Sequence, residues 1–154
     1  MHEPDQHTLQ ERLADFEKRC RENGLKMTHQ RLTIYRELLS SRDHPAVETI
    51  FQRVRRHIPT ISIDTVYRTL ATLEEAGMIN RVDTTEGLVR YEADRGIPHH
   101  HLICMKCHQI RDFIWDAFDT LPRPPEVDRW GQSVARNVVI TGICRQCYEQ
   151  AEKK

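Results

Sequence analysis

The sequence predicts an α+β fold in two domains, and three observations carry that prediction. Four stretches with apolar residues at helical spacing fill the first half and lead into an alternating hairpin pattern. The segment Arg95-Gly96-Ile97-Pro98 then reads as a joint. Beyond it the chain is rich in histidine and carries two C-x-x-C pairs, Cys104/Cys107 and Cys144/Cys147. The expected domains are residues 1–95 and 96–154.

A length of 154 residues holds one ordinary domain or two small ones. With 38% hydrophobic and 30% charged residues, the composition is that of a soluble globular protein rather than a disordered tail. No apolar run approaches the roughly 20 residues of a membrane helix. The start, MHEPDQHTLQERLADFEKRC, lacks an apolar core behind a basic segment, so no secretory signal is expected and the chain reads as cytoplasmic. Zero formal net charge argues against a globally basic nucleic-acid coat. It leaves room for local positive charge. Arg19, Arg21, Lys26, Arg31 and Arg36 stand against Glu22, and Arg53, Arg55, Arg56 and Arg68 against Asp64. Charge alone favours the reading of solvated helix faces.

The elements follow in order. Residues 8–22 place Leu9, Leu13, Phe16 and Cys20 on one helical face, and Asn23-Gly24 ends the helix. Thr28 is a fitting N-cap for a helix running through Leu32, Tyr35, Leu38 and Leu39 to Ser40. After a loop at Arg42-Asp43-His44, Pro45 is expected at the first position of a third helix that ends near His57-Ile58-Pro59. Ser62 caps a fourth, with Val66, Leu70 and Leu73 inward and Gly77 as its stop. MINRVDTTEGLVRYEAD forms two strands about Thr84-Thr85-Glu86-Gly87.

Helices closed by a hairpin make a winged helix-turn-helix pattern, with the fourth helix as the one that would enter a major groove. Its apolar stripe turns Asp64, Thr65, Tyr67, Arg68 and Thr72 outward. Arginine can read guanine edges or grip phosphate, and tyrosine can touch a thymine methyl or phosphate. Lys26 and Arg31 stand where a loop and helix could hold the backbone. A helical domain of this pattern need not touch DNA, so the pattern alone leaves both readings open.

In a reducing compartment two C-x-x-C turns fit a tetrahedral zinc better than disulfides. Four thiolates leave no position for substrate, so such a site is structural. Two unrelated turns or a redox dithiol are the alternatives. Cys20 reads as a half-buried thiol. The segment HHHLICMKC alternates as a strand, so His99 and His101 share a side and His100 faces the other. Asp112 follows on the return strand. Imidazole and carboxylate together suit a divalent Fe, Mn, Co or Zn ion, although a histidine run can be incidental. Downstream, DAFDTL starts a helix that Pro122, Pro124 and Pro125 break, residues 133–143 form a strand, and the tail forms a short helix.

Taken in this order, ISIDTVYRTLATLEEAGMI, HHHLICMKCHQIRDF and GICRQC resemble the ferric uptake regulator family, over about Gly24 to Cys147. The resemblance implies a dimeric, metal-dependent transcriptional repressor. Its fold is α+β: an N-terminal winged helix-turn-helix DNA-binding domain and a small C-terminal α/β dimerisation domain with structural zinc. By the same resemblance the structural Zn2+ falls on Cys104, Cys107, Cys144 and Cys147. The regulatory metal falls on His44, Glu92, His99, His101 and Asp112, and the DNA contacts on Lys26, Arg31, Thr65, Tyr67 and Arg68. The regulatory ion implied is Fe2+ or Mn2+, with Zn2+ able to substitute. The partners implied are a second copy of the chain and a pseudo-palindromic double-stranded operator, with no membrane.

A further site of some iron-sensing members maps onto Pro98, His100, Asp119 and Arg136. Only one carboxylate remains there, so that site is expected to be absent or altered. Zinc sensors of the family usually place cysteine among the regulatory ligands, where this chain has Glu92. Iron sensors resemble it at Glu92 and Arg68, and peroxide sensors at Asp112. The reading leans to an iron-loaded repressor of iron-uptake or peroxide-stress genes. The alternative is a peroxide sensor acting through iron-catalysed oxidation of a ligand histidine. Zinc sensing follows behind it, and then an enzyme. No H-E-x-x-H, deaminase-type or Gly-rich phosphate motif supports catalysis.

Overall fold

A computed structural model describes residues 8–153, which fall into two compact units that meet in sequence at Arg95/Gly96. The start of the N-terminal segment read above for a secretory signal lies outside the described residues. No helix among them is long and apolar enough to cross a membrane.

The first unit is built from α1 (Leu9–Glu22), α2 (His29–Ser40), α3 (Val47–Val54), α4 (Ile63–Glu75) and the hairpin β1 (Ile79–Asp83)/β2 (Val89–Ala93). Side chains set the helix starts. Thr8 and Glu11 form a reciprocal capping box on α1, while Thr28 and Ser62 accept from the amides of Arg31 and Thr65. Each satisfies an amide that the first helical turn would leave unpaired. Gly24 (φ 66°) and Gly77 (φ 69°) take the left-handed conformation just past α1 and α4.

The inward faces converge on one core. Phe16, Ile34, Ile50, Val54, Val66 and Leu73 are fully shielded, and the Phe16 and Tyr35 rings stack at 3.9 Å. Each such side chain removed from water contributes about 1.5–3 kcal/mol. Leu9 lies at the exposed end of its stripe, and Cys20 is fully rather than half buried, with Sγ 4.0 Å from the Met78 sulfur.

The third helix differs from expectation. Pro45 stands outside it and Ala46 is the N-cap, because the chain here joins the wing: Ala46 bridges Arg90, and the Tyr91 amide donates to the Pro45 carbonyl at 3.1 Å. The helix stops at Val54 and gives way to turns in which Ile58 still bonds the Val54 carbonyl.

The second unit is a three-stranded sheet in the order β4-β3-β5, from β3 (His100–Cys104), β4 (Ile110–Phe113) and β5 (Val139–Gly142). β3 runs antiparallel to β4 and parallel to β5. The parallel pairing needs a long crossover, which carries α5 (Asp116–Asp119) and α6 (Pro125–Trp130) before α7 (Arg145–Glu152) ends the unit. The proline cluster does break α5, yet Pro125 also opens α6 at a position where its missing amide costs nothing. The last strand is four residues long, shorter than the alternating run 133–143 suggests, because only 139–142 find ladder partners on β3.

Candidate metal centres and nucleic-acid interface

The four paired cysteines come together in the second unit, their ligand atoms within 4.8 Å of one another. Cys104 ends β3, Cys107 lies in the following turn, and Cys144 and Cys147 open α7. The parallel β3–β5 register delivers the second pair to the first, since Cys104 stands opposite Gly142. Sulfurs at about 2.3 Å from one zinc lie about 3.8 Å apart, and Sγ of Cys107 is 3.7 Å from Sγ of Cys144. Three amides donate to Cys104 Sγ, those of Cys107 (3.5 Å), Cys144 (3.3 Å) and Lys106 (3.4 Å). They hold this thiol down to about 5, whereas burial, with hydrogen bonds that the Cys147 thiol donates to neighbouring sulfurs, pushes Cys147 up. A low-lying thiolate at Cys104, with three further sulfurs beside it, is a nucleus for a thiophilic cation. The residues fit structural zinc.

Along β3 and the residue just before it, His99, the alternation holds. The His99 and His101 rings meet edge-on at 5.0 Å, and His101 faces Asp112 across the ladder with Nε2 3.6 Å from Oδ1. His99 Nδ1 donates to the Ile97 carbonyl at 3.0 Å, so a neutral ring presents Nε2 as its lone-pair nitrogen. His100 points the other way, fully buried against Phe113 and Phe118. Its Nδ1 accepts the Val138 amide at 3.1 Å and its Nε2 lies 3.4 Å from Asp119. Arg136 hydrogen-bonds the Leu121 carbonyl at 2.6 Å and the Asp119 carbonyl, and stacks over Phe118. A guanidinium therefore sits where cation ligands would be needed.

In the first unit His44 and Glu92 form a second imidazole–carboxylate pair, Nε2 to Oε2 at 3.0 Å, both largely shielded. The wing supplies Glu92, held opposite Asn80 by the hairpin register. The loop supplies His44, whose φ of 48° is uncommon for a residue with a Cβ. Both pairs suit a divalent cation, with nitrogen and oxygen donors and one negative charge each.

The sequence-derived DNA residues lie on the expected elements. Lys26 and Arg31 flank the start of α2, where Arg31 donates to the Lys26 carbonyl. Thr65 is tied to the α4 cap through Ser62. Tyr67 and Arg68 project outward, the first 47% exposed. The Tyr67 hydroxyl donates to Glu48 at 3.2 Å, and Arg68 pairs with Asp64 one turn earlier. Glu48 is the residue that sequence reasoning missed. A glutamate in the first turn of α3 is explained by the helix dipole alone, and its partner stands on another helix.

A winged-helix unit with an outward-facing reading helix, joined to a sheet unit with a cysteine metal site, defines a metal-binding, DNA-binding regulator. Residues 22–127 match the ferric uptake regulator family. The peroxide-responsive repressor PerR of Staphylococcus epidermidis is 30% identical over 94% of this chain and 93% of its own. The ferric uptake regulation protein of Rhizobium leguminosarum bv. viciae is 39% identical over 79% of each. Among solved structures, the Helicobacter pylori ferric uptake regulator Fur superposes with a TM-score of 0.74 at 28% identity, covering 92% of this chain and 95% of that one. The chain belongs to the ferric uptake regulator family. It is a metal-dependent, dimeric, DNA-binding transcriptional repressor with a structural zinc and a regulatory divalent metal.

Proposed function

We propose that the regulatory ion is iron(II), with manganese(II) as its substitute. It would be held jointly by His44 and Glu92 of the first unit and by His99, His101 and Asp112 of the second. The carrying observation is that each unit holds its own imidazole–carboxylate pair, at 3.0 Å and 3.6 Å, and neither pair alone fills the coordination sphere of such an ion. When bound, the ion supplies a shared centre of positive charge. His44 and Glu92 then tie the wing and the loop before α3 to the sheet unit. A ligand shifts an equilibrium only by its differential affinity for the two states, and five ligands split between units confer that difference.

Residues 1–95 bind the operator and residues 96–154 dimerise in this reading. Two reading helices would then meet two half-sites at a spacing set by the dimer. Lys26 and Arg31 grip the backbone, while Thr65, Tyr67 and Arg68 address the groove. The paired Leu102 and Ile140, 40% and 45% exposed on one face of the small sheet, offer apolar surface for a second copy. Five protein ligands leave little room for a substrate, so the chain acts without catalysis, in the cytoplasm.

His44→Ala tests the scheme. It should keep the fold and the zinc content, and abolish metal-dependent binding to an operator selected from random duplexes by the metal-loaded protein. Unchanged binding would refute the joint site. The same binding assay with Fe(II), Mn(II) and Zn(II), followed by peroxide, ranks the metals. Loss of the Fe complex with survival of the Mn complex would assign the alternative, peroxide sensing, and survival of both would keep the iron-repressor reading.

A further inference from the structure

Both outward polar side chains at the centre of α4 are tied to carboxylates. Arg68 pairs with Asp64, and Tyr67 donates to Glu48 at 3.2 Å. The Asp64–Arg68 pair is open to solvent, with side chains 68% and 77% exposed. An exposed pair in one helical turn adds little to stability. Electrostatically the aspartate is also misplaced for simple affinity, because it brings negative charge to the surface that faces a polyanion.

We propose that Asp64 is a positioning residue that sets operator specificity by holding Arg68 for a base edge. The proposal rests on the reading that α4 enters the groove. Two physical effects act together. The carboxylate confines a long, rotamer-rich side chain to one orientation, so less freedom is lost when the guanidinium meets the O6/N7 edge of a guanine. It also competes with phosphates for the same guanidinium, which weakens binding to arbitrary sequence more than binding to the site where Arg68 finds its base. A second carboxylate, Glu48 on α3, accepts from the Tyr67 hydroxyl at 3.2 Å, so two groups on this surface have acidic partners.

The test compares full-length, metal-loaded wild type with Asp64→Ala, Asp64→Glu, Asp64→Asn and Arg68→Ala. The probes are the selected operator, its single-base-pair substitutions and a random duplex. Arg68→Ala should abolish the preference at one G·C position per half-site. Asp64→Ala should weaken that same preference about tenfold, the scale of one bidentate base contact. It should also bind random duplex more tightly, with a salt slope steeper by roughly one. Asp64→Glu should restore discrimination because it restores the ion pair, and Asp64→Asn should not. If Arg68→Ala loses the preference while Asp64→Ala keeps the wild-type profile, the positioning role is overturned and the reading helix stands. If neither variant changes the profile, the assignment of base reading to α4 falls as well.

Discussion

Single residues in this chain act mainly through charge pairs whose partners lie on other elements. Arg53 on α3 forks onto Asp43, with Nη1 at 3.1 Å and Nη2 at 2.5 Å, and also reaches Ser41 at 3.1 Å. The hydrogen bond from Arg53 holds the Asp43 carboxyl below its usual range, against the opposing effect of partial burial. A lowered folded-state value means that this carboxylate stabilises the fold above the unfolded value, near pH 4. The contribution fades as pH falls through the folded value. Asp43→Asn should therefore lower the melting temperature at neutral pH, with the gap to wild type closing as the solution is acidified below about pH 4. Parallel thermal melts followed by helix ellipticity would check this. A gap that persists undiminished in acid would remove the pair from the account. This fork braces the residue next to His44, so it belongs to the same loop that carries a proposed metal ligand.

At the level of elements, local chemistry decides where helices begin, and that is where the sequence was most legible. Thr28 and Ser62 are hydroxyl caps in the sequence and hydroxyl caps in the fold. Ser62→Ala should destabilise the first unit by about 1 kcal/mol, read from the urea midpoint, because the Thr65 amide loses its acceptor. A neutral result would mean that water replaces the cap. The strand face of His99 and His101 was legible for the same local reason, since side chains alternate. Elements that depend on distant partners were not. Pro45 has the sequence signature of a helix start, but pairing with the wing overrides it. The alternating run at 133–143 pairs with β3 over only four residues, 139–142. A proline cluster marks a break and equally a new start, and Pro125 takes the second role at the first turn of α6. The cysteine set was legible from spacing. The contact of Glu48 with Tyr67 was not, because the two residues lie on different helices.

For the molecule as a whole, the two units are stabilised by different means. The first has a continuous apolar core from Phe16 to Ala93. The second buries few large side chains, and its sheet, the turn after β3 and its last helix converge on four cysteines. Small domains of this kind rely on metal for folding free energy. Stripping zinc from the full chain with a chelator should abolish hydrogen-exchange protection over 100–104 and 139–142 while 34–39 and 66–73 stay protected. Retained protection in both would show that the second unit stands without its metal. The loop that carries the proposed ligand His44 bears a cost of another kind. His44 is held in a backbone conformation that glycine or asparagine adopts with less strain, at a penalty on the order of 1–3 kcal/mol. Selection for sturdiness alone would therefore drift away from histidine at this position. If His44 holds the ion as proposed, a laboratory lineage bred only for heat resistance would emerge robust and deaf to it, and this imidazole persists only where responsiveness outweighs endurance.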